Sequence, residues 1–200
     1  MPNISARSQA APASPIRRLY PLAVEAKRRG KKVYHLNIGQ PDIPTPESFL
    51  RGIREAQIKV LDYAPSPGIP EAIEAVRAYY AELGFSLASE NILITIGGSE
   101  AITFALTVTC DPGDEVLIPE PFYPNYLGYA RLTNVEILPL TTLREEGFHL
   151  PPRQELQARL TPRTKAIIVV HLAGWPADME GIMALAERYG LWVIEDCAQA

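Results

Sequence analysis

ILITIGGSEAITFAL, residues 92–106, runs from apolar, β-favouring residues into a glycine pair, a hydroxyl and then a second apolar stretch. The pattern predicts a strand over Ile92–Thr95, a tight turn at Gly97-Gly98 and a helix from about Ser99 to Thr109. Backbone N–H groups at such a helix start, with the positive end of the helix dipole, form a cradle for a phosphate. Glycine lets an oxyanion approach the backbone, and Ser99 adds a hydroxyl. The alternative is a plain tight turn with Ser99 as N-cap. No Gly-Lys-Ser/Thr follows, so this is not a Walker loop, and the spacing is not GxGxxG.

The rhythm continues outward from this stretch. Glu115–Ile118, Val135–Pro139, Ala166–Val170 and Leu191–Ile194 read as short apolar strands, separated by helices over Tyr123–Arg131, Gln154–Leu160 and Met179–Tyr189. Solidly apolar strands belong to sheets covered on both faces, so the fold class is α/β, a mostly parallel sheet with helices on both faces. Upstream, the pattern gives a helix over Ile16–Gly30, a strand over Val33–Leu36, the loop Asn37-Ile38-Gly39-Gln40-Pro41-Asp42, and helices over Pro46–Lys59 and Pro70–Leu83.

Composition narrows the function. The 200 residues are 47% hydrophobic and 21% charged, as in a soluble globular protein, and no apolar run is long enough to cross a bilayer. A net charge of −4 argues against a general nucleic-acid binder. Residues 1–32 carry eight of the 19 Lys and Arg and a single acid, which reads as a basic arm and a solvated helix face. An organelle leader is disfavoured by the prolines that interrupt the segment. Two cysteines, Cys110 and Cys197, without a CxxC spacing, point to reduced thiols in a cytoplasmic protein.

In open α/β sheets ligands sit beyond the carboxyl ends of the strands. The residues there are Gly97-Gly98-Ser99, Pro119–Tyr123, His171–Pro176 and Asp196–Gln199. Asp196 directly follows the strand LWVIE, where a carboxylate can hold a cationic heterocycle in its protonated form; a solvated acid or a cap is the bland alternative. Tyr123 can stack on a planar group, and Tyr63, in a loop before a proline-opened helix, can donate to a phosphate; either can equally be an ordinary packed or surface tyrosine. His35, His149 and His171 are too scattered for a metal site, and no metal is expected. His171 lies past a strand end, where it can face a bound group, but a loop histidine is the favoured reading.

The order of NIGQPDIPTPESF (37–49), YAPSPGIPEAIEAVRAYY (63–80), ILITIGGSEAI (92–102), GDEVLIPEPFYPNY (113–126) and TPRTKAIIVV (161–170) resembles the class I/II, aspartate-aminotransferase-like branch of the fold-type I PLP-dependent enzymes. The resemblance runs from about Ser14 to Val170. Residues 170–200, ending in the E-D-x-A-Q-A motif at 195–200, instead resemble the nucleotide-sugar (DegT-type) aminotransferase branch. It implies pyridoxal 5′-phosphate as cofactor, amino acid and 2-oxo acid as substrates, and a homodimer, with neither nucleic acid nor membrane as partner. It implies an N-terminal arm and small-domain portion over 1–45 and part of the PLP-binding large domain over 46–200.

Residue by residue, the resemblance gives Gly97, Gly98 and Ser99 to the cofactor phosphate, Tyr123 to the ring face and Tyr63 to the phosphate of the partner's cofactor. Asp196 falls to the pyridine nitrogen, Gln199 to the ring oxygen and Gly39 to the substrate carboxylate. The Schiff-base lysine of both branches lies beyond the Asp motif. None of Lys27, Lys31, Lys32, Lys59 and Lys165 replaces it, so no catalytic residue is assigned and little or no transaminase activity is expected of these 200 residues alone. A nucleotide-sugar aminotransferase and a non-catalytic PLP- or phosphate-binding module are the alternatives.

Overall fold

The computed structural model describes residues 3–39 and 41–200. The helices are α1 (Ala6–Ala10), α2 (Pro15–Arg18), α3 (Tyr20–Arg28), α4 (Glu47–Glu55), α5 (Pro70–Glu82), α6 (Gly98–Thr109), α7 (Tyr126–Thr133), α8 (Arg153–Arg159) and α9 (Met179–Tyr189); the strands are β1 (Glu115–Glu120), β2 (Glu136–Thr141), β3 (Thr164–Val170) and β4 (Trp192–Asp196). Their contacts form two compact units, one made of the residues up to Arg29 with Gly97–Ala200, the other of Gly30–Ile96.

In the first unit the four strands form one sheet in the order β2-β1-β3-β4, every pair parallel. The expected α/β class and the parallel sheet are therefore present. Alternate residues of each inner strand serve opposite faces. Val116, Ile118, Ala166 and Ile168 pack with Leu106 of α6 and Tyr126 and Ala130 of α7. Leu117, Ile167 and Val169 pack on the other side with Ile182 and Leu185 of α9, with Leu156 of α8 against them. This is why these strands lack a polar alternation: neither face meets water. Gly190, at φ +64°, closes α9 in a left-handed cap that glycine alone enters without strain.

The chain leaves β1 for β2 on one side through α7, then returns through α8 to β3 on the other side. That reversal moves the covering helices from one face to the other. It also sets the switch point of the sheet between β1 and β3, beyond whose carboxyl ends open α/β sheets bind ligands.

The second unit departs from expectation. Val33–Leu36 and Ile92–Thr95 are not strands of the sheet. Residue 92 is extended, and the Ile94 N–H donates to the Pro67 carbonyl at 2.8 Å, a loop contact rather than a ladder. Among the described residues of this unit only Ile73 is buried, while Leu36 and Ile96 are 96% and 92% exposed. Apolar runs signal a need for cover, but a strand forms only against another strand's edge. Gln40, in the loop expected over 37–42, lies outside the described residues.

Smaller shifts have local causes. The helix expected over 16–30 divides at Leu19, because Pro21 falls in the first turn of α3 and has no N–H to donate. Pro124 likewise delays α7 to Tyr126, whose N–H closes a turn on the Tyr123 carbonyl at 3.1 Å. The helix expected to Lys59 ends at Glu55, where Ala56 turns extended.

Ile168 is 1% exposed at the centre of this core. Ile168→Ala is expected to cost roughly 2–5 kcal/mol, seen as a lower urea midpoint at unchanged slope. Ile53→Ala, at an exposed position of α4, is expected to leave the midpoint within about 0.5 kcal/mol of the parent.

Candidate functional site

Gly97 is the N-cap of α6 and takes φ +83°, a conformation that explains its identity. Gly98 has no such explanation. Its φ is not in the left-handed region, it lies in the first helical turn, and a Cβ built on it meets nothing within 4 Å. Glycine there costs helix stability without relieving any contact within the chain, and the space beside its backbone is open to a ligand. Ser99 is not the N-cap: that position is Gly97, and Ser99 lies inside the first turn of α6, which removes the plain N-cap alternative. Its hydroxyl instead pairs with the Tyr129 hydroxyl at 2.6 Å.

From Ser99 a line of tyrosines crosses the carboxyl ends of the strands. Tyr129 neighbours Tyr123, whose phenol pKa is pushed above its ordinary value by burial first and then by Tyr129. Tyr123 is 42% exposed, accepts from the Asn125 amide at 2.6 Å and meets Tyr126 edge-on, with ring centroids 5.7 Å apart. Tyr126 is 0% exposed, and its hydroxyl donates to Asp196 Oδ2. The other carboxylate oxygen, Oδ1, accepts the Ala198 N–H at 2.9 Å. Asp196 is thus a half-buried acid anchored on both oxygens, and the solvated alternative is set aside.

The structure therefore brings Gly97, Gly98, Ser99, Tyr123 and Asp196 into one continuous set of contacts, with Gln199 three residues past Asp196. Gln199 Oε1 accepts the Ala173 N–H at 3.0 Å. Tyr63 and Gly39 belong to the other unit. Tyr63 there is fully exposed, and nothing lies within 4 Å of a Cβ built on Gly39. Lys165 stands at the amino end of β3, the opposite end of the parallel sheet from Asp196.

Tyr126 is not singled out by the sequence, and His171 departs from its favoured reading. Tyr126 hides in the sequence as the last letter of PEPFYPNY, where an aromatic at a helix start reads as core; its signal is that a buried phenol must find a partner. His171 is no loose loop histidine but a buried one with both ring nitrogens bonded. His171, Glu195 and Cys197 each bring one ligand atom within 4.8 Å of the others. That trio is a poor metal site, because His171 Nδ1 accepts the Ala177 N–H at 3.1 Å and the ring proton must then sit on Nε2, facing Glu195 Oε2 at 2.9 Å. Burial pushes the Cys197 thiol up, and Glu195 and Asp196 add to it, which disfavours the thiolate.

Burial, and after it the bond to Asp196, pushes the Tyr126 phenol well above its ordinary value of 10.0. A raised folded-state value means this contribution to stability is complete below about pH 10, the unfolded value, and declines as pH rises further. Tyr126→Phe is expected to flatten that decline between about pH 9.5 and 11, measured as the urea midpoint against pH, while lowering stability at pH 7 by about 1–3 kcal/mol.

Several known proteins are similar to this chain. The profile of the DegT/DnrJ/EryC1/StrS aminotransferase family matches residues 71–200. The aspartate/prephenate aminotransferase of Thermus thermophilus is 32% identical over 204 residues, 98% of this chain and 53% of that protein. A UDP-N-acetyl-3-dehydro-alpha-D-glucosamine 3-aminotransferase of Acidithiobacillus ferrooxidans is 44% identical over 104 residues, 52% of this chain and 28% of that protein. Among solved structures, the aspartate aminotransferase from Thermus thermophilus with maleate superimposes with a TM-score of 0.83 at 30% identity, covering 98% of this chain and 53% of that one. The chain spans about half the length of these aspartate aminotransferase relatives. With the family profile matched over well more than half its residues, the chain belongs to the DegT/DnrJ/EryC1/StrS aminotransferase family, within the fold-type I PLP-dependent aminotransferases.

Proposed function

We propose that this protein takes part in moving an amino group between an amino acid and a 2-oxo acid, and that residues 97–200 supply much of the grip on pyridoxal 5′-phosphate. The observation that carries the reading is the unbroken line Ser99–Tyr129–Tyr123–Tyr126–Asp196, which joins a helix N-terminus with an open glycine to an anchored acid. Those two ends match the two charges of the cofactor, a phosphate dianion and a pyridinium.

The residues present fit that group. Gly97, Gly98 and Ser99 would hold the phosphate with backbone N–H groups, the α6 dipole and a hydroxyl. Tyr123 would lie against the ring. Asp196 would accept a hydrogen bond from the ring nitrogen and keep that nitrogen protonated, with Tyr126 fixing which carboxylate oxygen is engaged elsewhere. Gln199 would meet the ring oxygen. Bound there, the cofactor supplies an electron sink for the bond broken at the substrate carbon. Gly39 is read as lying beside the substrate carboxylate, and Tyr63 as reaching the partner's cofactor phosphate in a homodimer. The division into an arm and small-domain portion over 1–45 and a large-domain portion over 46–200 belongs to the same proposal.

A second reading, amino transfer to a nucleotide-linked keto sugar, is favoured by the family match over 71–200 and by the 44% identity to a sugar aminotransferase. The whole-chain likeness to aspartate aminotransferases supports the first. A cytoplasmic location is part of the proposal. Free thiols at Cys110 and Cys197 support it, and among the described residues no helix is long and apolar enough to cross a membrane.

Binding of pyridoxal phosphate, followed by tryptophan fluorescence, tests the assignment. Gly98→Val is expected to weaken pyridoxal phosphate and inorganic phosphate alike, by about tenfold or more, because its side chain fills the approach to the backbone. Asp196→Ala is expected to weaken pyridoxal phosphate while sparing inorganic phosphate, and, in a chain that carries the family's lysine, to lower turnover by several orders of magnitude. Equal binding by parent and Gly98→Val would remove the phosphate assignment.

A further inference from the structure

The loop that follows β3 is tied to the end of β4 and the turn beyond it by three bonds, two from His171 and one from Ala173. The His171 N–H donates to the Asp196 carbonyl at 3.2 Å. The His171 ring, on a residue only 7% exposed, spans two partners: Nδ1 accepts the Ala177 N–H at 3.1 Å, and Nε2 lies 2.9 Å from Glu195 Oε2. A nitrogen that accepts an N–H carries no proton, so the ring proton is on Nε2 and is donated to Glu195. Ala173 then donates its N–H to Gln199 Oε1 at 3.0 Å.

Ala173 holds φ +54°, ψ 31°, a left-handed conformation that an L side chain disfavours. A residue other than glycine stays there only when its surroundings over-determine it. The His171 ring does this by closing the loop on itself at Ala177 and on β4 at Glu195. Its effect on Gln199 is specific. A primary amide has an acceptor at one end and two donors at the other. With Oε1 held by a backbone N–H, the NH2 end is the one left to face a ligand, and a flip would set NH2 against the Ala173 N–H.

We infer that His171 and Ala173 are positioning residues that hold the Gln199 amide as a hydrogen-bond donor toward the ring oxygen of the cofactor. This rests on the pyridoxal phosphate reading above. No contact between His171 and the cofactor is required; the ring acts through the loop, and the ligand feature it controls is one oxygen atom.

The experiment compares two ligands on the full chain: pyridoxal 5′-phosphate, and its 3-deoxy analogue, which keeps the phosphate, ring nitrogen and aldehyde but lacks the ring oxygen. Gln199→Leu is expected to weaken pyridoxal phosphate about tenfold and the analogue hardly at all. His171→Phe is expected to show the same selective loss, and to add nothing in a Gln199→Leu background, since both act on one bond. His171→Asn, which can keep an acceptor near the Ala177 N–H, is expected to recover part of the affinity. Should His171→Phe not fold, Glu195→Ala loosens the same loop from its exposed side and is read by the same two ligands. Equal loss on both ligands, or additive losses in the double variant, overturns the inference alone. A parent chain that binds neither ligand overturns the cofactor reading and this inference with it.

Discussion

A phenol with no exposed surface, Tyr126, donates a hydrogen bond to a carboxylate at the end of the sheet's last strand, Asp196. An unpaired buried hydroxyl costs more than a hydrogen bond returns, so this bond fixes both partners. It also joins elements that the sheet keeps apart. Tyr126 opens the helix after β1, Asp196 ends β4, and β3 lies between those strands. The bond therefore pins α7 across the carboxyl end of β3, and with α7 come Tyr129 and its contact to Ser99. An acid held this way is oriented before any ligand arrives, and a ligand that needs a directed negative charge does not have to order it.

The topology explains why the groups meet here. A chain that steps from β1 to β2 and then returns past β1 to β3 leaves two loops diverging from one seam. The β1 loop contributes Tyr123 and Tyr126, the β3 loop contributes His171 and Ala173, and β4 ends in the Asp196–Gln199 turn. The first two are rooted in buried strands and the third in a strand paired to one of them, so side-chain positions are inherited from the sheet. The His171 ring then does for the β3 loop what Tyr126 does for α7, tying it to the same strand end.

Much of this was legible in residue order because burial and strand ends leave marks. Val116–Ile118 and Ala166–Val169 are apolar without alternation, which requires cover on both faces, and Gly97-Gly98 and Asp196 stand directly where strands or helices change. What the sequence could not carry were partners. Val33–Leu36 and Ile92–Thr95 have the composition of strands, yet neither joins the sheet, since pairing depends on an edge elsewhere that local composition does not encode. Tyr126 looks like any core aromatic until its hydroxyl is followed to Asp196, seventy residues on. The His171 tautomer depends on the Ala177 N–H, a backbone group that every residue but proline carries.

The two likenesses, to amino-acid and to sugar aminotransferases, become compatible once the residues are sorted by what they would touch. In the proposed reading, Gly97, Gly98, Ser99, Tyr123, Asp196 and Gln199 would face chemical groups of the cofactor, which do not change when the amino acceptor does. All lie in 97–200, within the stretch that the family profile matches. Gly39, the one position read as meeting substrate, lies outside that stretch, in the unit of Gly30–Ile96. A cofactor-holding frame is under the same physical demands in either branch: an N-terminal helix dipole for a dianion, a directed acid for a pyridinium, and a fixed amide for a ring oxygen. Substrate choice imposes none of these, so the residues that set it are free to differ while the frame stays recognisable from either side.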